Sequence, residues 1–136
     1  IDTPDGLIVP NIKNVDSKSI FQISNEVNEL ASLAKTRKLK VEQLKGATFT
    51  ISSLSGIGGK YFTPIINPPE VGILGLSKTY DSLSMIDKNI ITLKQLPISL
   101  SYDHRVINGA YAAKFMVELG NQLKQIDLFI RTFKES

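Results

Sequence analysis

The chain contains no cysteine, which excludes disulfides, thiolate metal ligands and a cysteine nucleophile together. It has one histidine, His104, so the usual His and Cys donors of a zinc site are too few. No run of about 18 apolar residues occurs, which excludes a membrane-spanning helix. The opening residues, IDTPDGLIVP, have neither the basic start nor the apolar core of a signal peptide. An excess of one charge is also lacking. Sixteen Lys and Arg oppose thirteen Asp and Glu, a net +3, too little to argue for nucleic acid, though an anionic ligand would not be repelled. Basic residues are not interleaved with aromatics, so a single-strand nucleic-acid platform has little support. No serine sits in a nucleophile elbow.

What remains is an ordinary globular composition: 136 residues, 42% hydrophobic and 21% charged. That is enough for one domain or part of one, with a real core. The chain opens on Ile1 rather than Met, and a piece of a longer protein is the expectation.

Residues Leu7 to Ile12 form a short apolar run around Pro10, which reads as an edge or irregular strand because proline cannot donate to a ladder. From Asp16 to Ala34 the apolar positions Ile20, Ile23, Val27, Leu30 and Ala34 recur at three- and four-residue steps. This predicts an amphipathic helix capped by Asp16 or Ser17. A polar, basic stretch follows, with one helical turn at Val41–Leu44. Ala47 to Leu54 reads as a strand with Phe49, Ile51 and Ser53 on one face and Thr48, Thr50 and Ser52 on the other.

Beyond the glycine-rich loop from Ser55 to Lys60, the prolines Pro64, Pro68 and Pro69 interrupt an apolar segment. Val71 to Leu76 reads as a strand covered on both faces. Tyr80 to Ile91 reads as a hairpin turning near Asp87-Lys88-Asn89. Leu96 to Tyr102 alternates cleanly, and a helix begins near Asn108-Gly109 with Ala112, Phe115, Leu119, Leu123 and Ile126 at helical spacing. A last short helix is expected over Asp127 to Phe133. Strands and helices are interspersed, so the class is mixed α/β.

His104 directly follows the alternating strand. If the strand runs two residues further, its imidazole shares a face with Leu96, Ile98, Leu100 and Tyr102 and points into an apolar space. A histidine so enclosed stays neutral and can act as a base. A plain surface or core histidine at a strand end has the same spacing. Asn108 is a natural helix N-cap, and Asp103 with Arg105 can be an ordinary ion pair fixing the turn. Ser52 belongs to a hydroxyl stripe of the kind that exposed strands carry. Gly56, Gly58 and Gly59 suggest a phosphate loop, but the closing Lys-Ser/Thr is missing and no clear helix follows. A nucleotide loop is rejected.

Four stretches together resemble the catalytic domain of the 2-oxo acid dehydrogenase acyltransferases. They are Asp2-Thr-Pro-Asp-Gly-Leu-Ile-Val-Pro10, Gly46-Ala-Thr-Phe-Thr-Ile-Ser-Ser53, Thr63-Pro-Ile-Ile-Asn-Pro-Pro-Glu-Val71 and Leu96-Pro-Ile-Ser-Leu-Ser-Tyr-Asp-His-Arg-Val-Ile-Asn-Gly109. They stand in the family's order with family-like gaps, from the first residue to about Phe133. Bacterial pyruvate-type members are the most similar. The resemblance implies a two-layer α+β arrangement, the chloramphenicol-acetyltransferase-like fold. It covers only the C-terminal part of that domain, a little over half, over residues 1–136.

The resemblance also implies an activity: acetyl transfer between dihydrolipoamide and coenzyme A in a pyruvate dehydrogenase complex. His104 matches the family's general base and Ser52 the serine that donates to the oxyanion. In the family these two come from different subunits of a trimer that builds a larger hollow core, so a monomer is expected to be nearly inactive. The family pattern His-x-x-x-Asp-Gly has Asn108 at its fourth place here, which puts in doubt any role needing a negative charge. Asp2 matches a position near the active-site channel, and Phe62 and Leu74 match positions lining the path of pantetheine or lipoamide.

The implied cofactors are a lipoyl group on a domain outside this chain and coenzyme A as substrate, with no metal. The implied partners are further copies of the chain and, through segments outside it, the pyruvate dehydrogenase and dihydrolipoamide dehydrogenase subunits; neither nucleic acid nor membrane is expected. A bacterial cytoplasm is expected ahead of a mitochondrial matrix. The alternatives are a succinyl- or branched-chain-acyl transferase and a structural core without activity. A basic nucleic-acid module would bind with steep salt dependence and has no matching motif.

Overall fold

The computed structural model describes residues 1–125. The chain divides after Thr48 into two compact units. In the first, β1 (Asp2–Thr3) and β2 (Gly6–Leu7) form a minimal antiparallel hairpin. Its turn brings Gly6 to φ +111°, a conformation that suits only glycine.

The strand expected over Leu7–Ile12 contracts to this hairpin, and of its residues only Leu7 pairs. Pro10 has no N–H to give, the Ile8 N–H donates to the Ile1 carbonyl at 3.0 Å, and the Asn11 N–H donates to the Gln43 carbonyl at 2.8 Å. The run is therefore fixed by scattered loop bonds instead of a ladder.

Helix α1 spans Ile20–Lys35 and buries Leu30 and Ala34. Its start differs from the expected cap. Asn14 takes a left-handed conformation and Val15–Ser17 form a separate 3-10 turn. Ser19 caps α1 instead, accepting from the Gln22 N–H while the Gln22 side chain accepts from the Ser19 N–H. This reciprocal box satisfies two otherwise orphaned donors, which neither Asp16 nor Ser17 is placed to do. The turn expected near Val41 is present as a 3-10 turn over Val41–Gln43.

The second unit is built on a three-stranded sheet in the order β3 (Thr50–Ser53), β4 (Gly72–Leu76), β7 (Ile98–Tyr102), the second unit's last strand. Between β4 and β7 the chain makes a separate hairpin, β5 (Tyr80–Ile86) and β6 (Asn89–Gln95). β3 runs parallel to β4, and β4 antiparallel to β7. As the central strand, β4 is buried from Gly72 to Gly75, which agrees with its nearly continuous apolar run.

The hairpin turns on Asp87 and Lys88, both at positive φ (49° and 66°), as a two-residue type I′ connection requires. Its second arm runs on to Gln95, past the expected Ile91. β7 starts at Ile98, two residues later than the alternation suggests. Pro97 lacks an N–H, and its carbonyl instead accepts from the Ser77 N–H. Helix α2 spans Gly109–Lys124 behind an Asn108 cap, where the spacing places it. Ile126 and the short helix expected over Asp127–Phe133 lie outside the described residues.

Candidate active site

Side chains alternate across a sheet, and paired residues share a face. The register sets Thr50 beside Ile73 and Ser101, and Ser52 beside Gly75 and Ser99. One face of the sheet therefore carries four hydroxyls, those of Thr50, Ser52, Ser99 and Ser101. Its opposite face carries Ile51, Leu74, Leu100 and Tyr102. That second face meets α2, where the Phe49 and Phe115 rings approach at 6.1 Å between centroids.

The hydroxyl stripe is not the exposed surface that its composition suggests. Thr50 is only 7% exposed and Ser52 is half-buried. The irregular segment after the glycine-rich loop covers this face. Thr50 Oγ1 donates to Glu70 Oε2 at 2.7 Å, and Asn67 Nδ2 reaches Thr50 Oγ1 at 3.4 Å. These two residues flank the prolines of the Asn67-Pro-Pro-Glu70 stretch, so the segment is pinned to the sheet two residues from Ser52.

Phe62 lies over the same face. A Cβ built on Gly75 would stand 2.8 Å from Phe62 Cζ and 2.6 Å from Ser99 Oγ, so the ring occupies the space that a side chain at Gly75 would take. Ser99 Oγ donates to the Phe62 carbonyl at 2.7 Å. Gly75 is the residue directly across from Ser52, which brings Ser52 and Phe62 to one place. Leu74, 6% exposed, is on the other face. Asp2 belongs to the first unit, in β1 opposite Leu7.

His104 sits outside β7, because the strand stops at Tyr102. The Asp103 N–H still donates to the Val71 carbonyl at 2.9 Å, and the Asp103 carbonyl then accepts from the Val106 and Ile107 N–H groups. This closes a turn with His104 exposed on it. The apolar enclosure that strand parity would give is therefore not formed among the described residues; the Tyr102 ring lies 5.6 Å away and tilted by 39°.

Arg105 braces the turn by gripping Asp103 through its guanidinium (2.6 Å from Nη2 to Oδ2) and its N–H (3.0 Å to Oδ1). These bonds, the side-chain one first, hold the Asp103 carboxyl at about 2, below its ordinary 3.8. Asn108 ends the turn as the cap of α2, accepting from the Tyr111 N–H at 2.8 Å. His104 and Asn108 thus border one short loop.

Ser52 and His104 are not together within the chain. Ser52 is level with Gly75 and Ser99, whereas Asp103 is level with Val71, four residues along β4 and two strands across. Strand rise and spacing put the two residues roughly 15–20 Å apart. The glycine-rich loop makes a turn closed by the Ile57 and Gly58 N–H groups on the Leu54 carbonyl, and no helix follows it, in keeping with its rejection as a phosphate loop. A cleft of about 570 Å³ in the first unit is lined by Asn11, Lys13, Glu26 and Glu42 among others, and by none of the expected site residues.

Sequence reasoning passed over Thr50, Asn67 and Glu70 as a network, and Gly75 with Ser99 as the seat of Phe62. The signals were a glycine inside an otherwise aliphatic strand and a carboxylate following two prolines. Neither specifies a partner without the register.

Residues 1–131 match the family described as 2-oxoacid dehydrogenases acyltransferase (catalytic domain). The chain is 54% identical over 126 residues to the dihydrolipoyllysine-residue acetyltransferase component of the pyruvate dehydrogenase complex of Azotobacter vinelandii, covering 93% of this chain and 20% of that protein. It also matches a solved structure of the A. vinelandii dihydrolipoamide acetyltransferase, from work on the role of a serine, a histidine and an asparagine in its catalytic mechanism. The TM-score is 0.89 at 52% identity, over 96% of this chain and 54% of that one. The atomic structure of the cubic core of the pyruvate dehydrogenase multienzyme complex matches with the same TM-score, identity and coverage. The chain thus spans about half of those solved chains and about a fifth of the A. vinelandii protein's full length. With the profile covering both units and the mixed helix-and-sheet fold matching solved members, the chain belongs to the catalytic-domain family of the 2-oxoacid dehydrogenase acyltransferases.

Proposed function

We propose that the chain is the C-terminal portion of one acyltransferase catalytic domain, moving an acetyl group between dihydrolipoamide and coenzyme A within a pyruvate dehydrogenase complex. One observation carries this reading. The serine, histidine and asparagine studied in the A. vinelandii enzyme stand 52 and 4 residues apart, and the same intervals separate Ser52, His104 and Asn108 here.

The chemistry asked of these residues is modest. A thiol of pKa near ~8.5 is mostly protonated at neutral pH, so a base at the attacking sulfur raises its reactive fraction. His104, exposed on its turn, takes the thiol proton as sulfur bonds to the thioester carbonyl carbon. The carbonyl oxygen becomes an oxyanion, to which the Ser52 hydroxyl donates. Collapse expels the other thiolate, and His104 returns the proton to it. No covalent acyl-enzyme is needed, which suits a chain without cysteine. Removing one oxyanion donor costs on the order of 3 kcal/mol in the barrier.

Asn108 supports the turn from the α2 cap, where a neutral side chain suffices. Phe62, beside Ser52, is assigned to the substrate path; for Leu74, buried on the sheet's other face, and Asp2, in the first unit, the assignment rests on the resemblance alone. The separation of Ser52 from His104 favours a site shared by two copies of the chain, in a trimer that builds a larger core of the kind represented by the cubic core structure it matches. Dihydrolipoamide arrives on a lipoyl domain, and the companion dehydrogenases attach through segments outside this chain.

The experiment is acetyl transfer from acetyl-coenzyme A to free dihydrolipoamide, by this chain and by its His104→Ala variant. Turnover abolished by the substitution is the expected result. Turnover that survives it overturns the mechanism, and silence from both chains leaves a structural core.

A further inference from the structure

We infer that Gly75 and Ser99 are positioning residues that seat the Phe62 ring beside Ser52 and so shape the entry of the thiol substrate. This rests on the reading of Ser52 and Phe62 given above. A glycine in the middle of a buried central strand weakens the strand and marks a close approach. At Gly75 the approach is by a hydroxyl and an aromatic ring: an added Cβ would meet Ser99 Oγ at 2.6 Å, Phe62 Cζ at 2.8 Å and Cε1 at 3.1 Å.

The ring needs a tether as well as a seat, because Phe62 lies in an irregular segment without a strand ladder. Ser99 supplies it, donating 2.7 Å to the Phe62 carbonyl from a position directly opposite Gly75. Ser52 pairs with Gly75 from the other side. Ser52, Gly75 and Ser99 thus form one rung across three strands, with the Phe62 ring resting on its centre. A shift of the ring alters the space next to the Ser52 hydroxyl without touching the hydroxyl itself.

Two measurements on the same chain test this. The first is a double-variant cycle in chemical denaturation with Gly75→Ala and Phe62→Leu, run in a Ser99→Ala background because the new methyl would meet Ser99 Oγ at 2.6 Å as well as the ring. The expected result is that Gly75→Ala lowers the midpoint strongly, or prevents folding, and does much less in the Phe62→Leu background. Additive shifts would overturn the seat.

The second is acetyl transfer by Ser99→Ala. KM for dihydrolipoamide is expected to rise about tenfold while kcat stays within about twofold, as for a lost binding contact. An unchanged KM would overturn the role in substrate entry. Should the unsubstituted chain show no turnover, the acetyltransferase reading fails, and the denaturation cycle alone decides whether Gly75 seats Phe62.

Discussion

Ser52 and His104 stand at opposite ends of one small sheet. Ser52 is on the edge strand β3, level with Gly75 and Ser99, and His104 is on the turn that leaves the other edge strand four to five residues further along. At roughly 15–20 Å apart, they do not meet within one chain, so the proposed acetyl transfer, which asks both to act on one thioester carbonyl, calls for two copies of the chain at each site.

Asn108 does its structural work through one bond, from the Tyr111 N–H to its Oδ1. Replacing it by Ala is expected to cost about 1 kcal/mol of stability, whereas Asp, an equally good cap, should cost little. Urea denaturation of the two variants checks this. Equal losses in both would show that the amide nitrogen, and not the cap, is what the position needs.

Asp103 gives the turn a pH dependence of definite sign. Its carboxyl is held at about 2 in the folded chain against an ordinary 3.8, so its stabilising effect is present above about pH 4 and fades as pH falls toward 2. The stability difference between the unsubstituted chain and Asp103→Asn should accordingly be largest above pH 4 and shrink below it. Thermal unfolding from pH 5 to pH 2 reads this directly, and a difference that grows on acidification would contradict it.

Much of this arrangement was legible in the sequence, and the exceptions share a cause. The unbroken apolar run of β4 announced a central strand. Asp87-Lys88-Asn89 announced the hairpin and Asn108 the helix start, because each depends on neighbours along the chain. The Ser19–Gln22 box is equally local, yet the expected cap, Asp16 or Ser17, lies two to three residues ahead of it. The failures elsewhere concern residues whose meaning depends on distant partners. Thr50 read as exposed because its cover, Glu70, is twenty residues away. For His104 the spacing allows either an enclosed side chain, if β7 continues, or a histidine at a strand end, and the turn that follows the bond from the Asp103 N–H to Val71 selects the second.

The Thr50–Glu70 bond should also be measurable. Thr50→Val keeps the shape and removes the donor, leaving a carboxylate oxygen in a half-buried place without its 2.7 Å partner. A loss of about 1–3 kcal/mol is expected. Glu70→Gln retains an acceptor and should lose less. Denaturant midpoints for both variants decide it, and a Thr50→Val chain as stable as the unsubstituted one would remove the network from the account.

The most direct test of the central claim is complementation between two inactive variants. Ser52→Ala and His104→Ala should each lose at least about 100-fold in acetyl transfer. Co-assembled in equal amounts, they should recover about one quarter of the unsubstituted activity, the fraction of heterologous contacts that join an intact Ser52 to an intact His104. A mixture as silent as its components would contradict a site shared between copies of the chain.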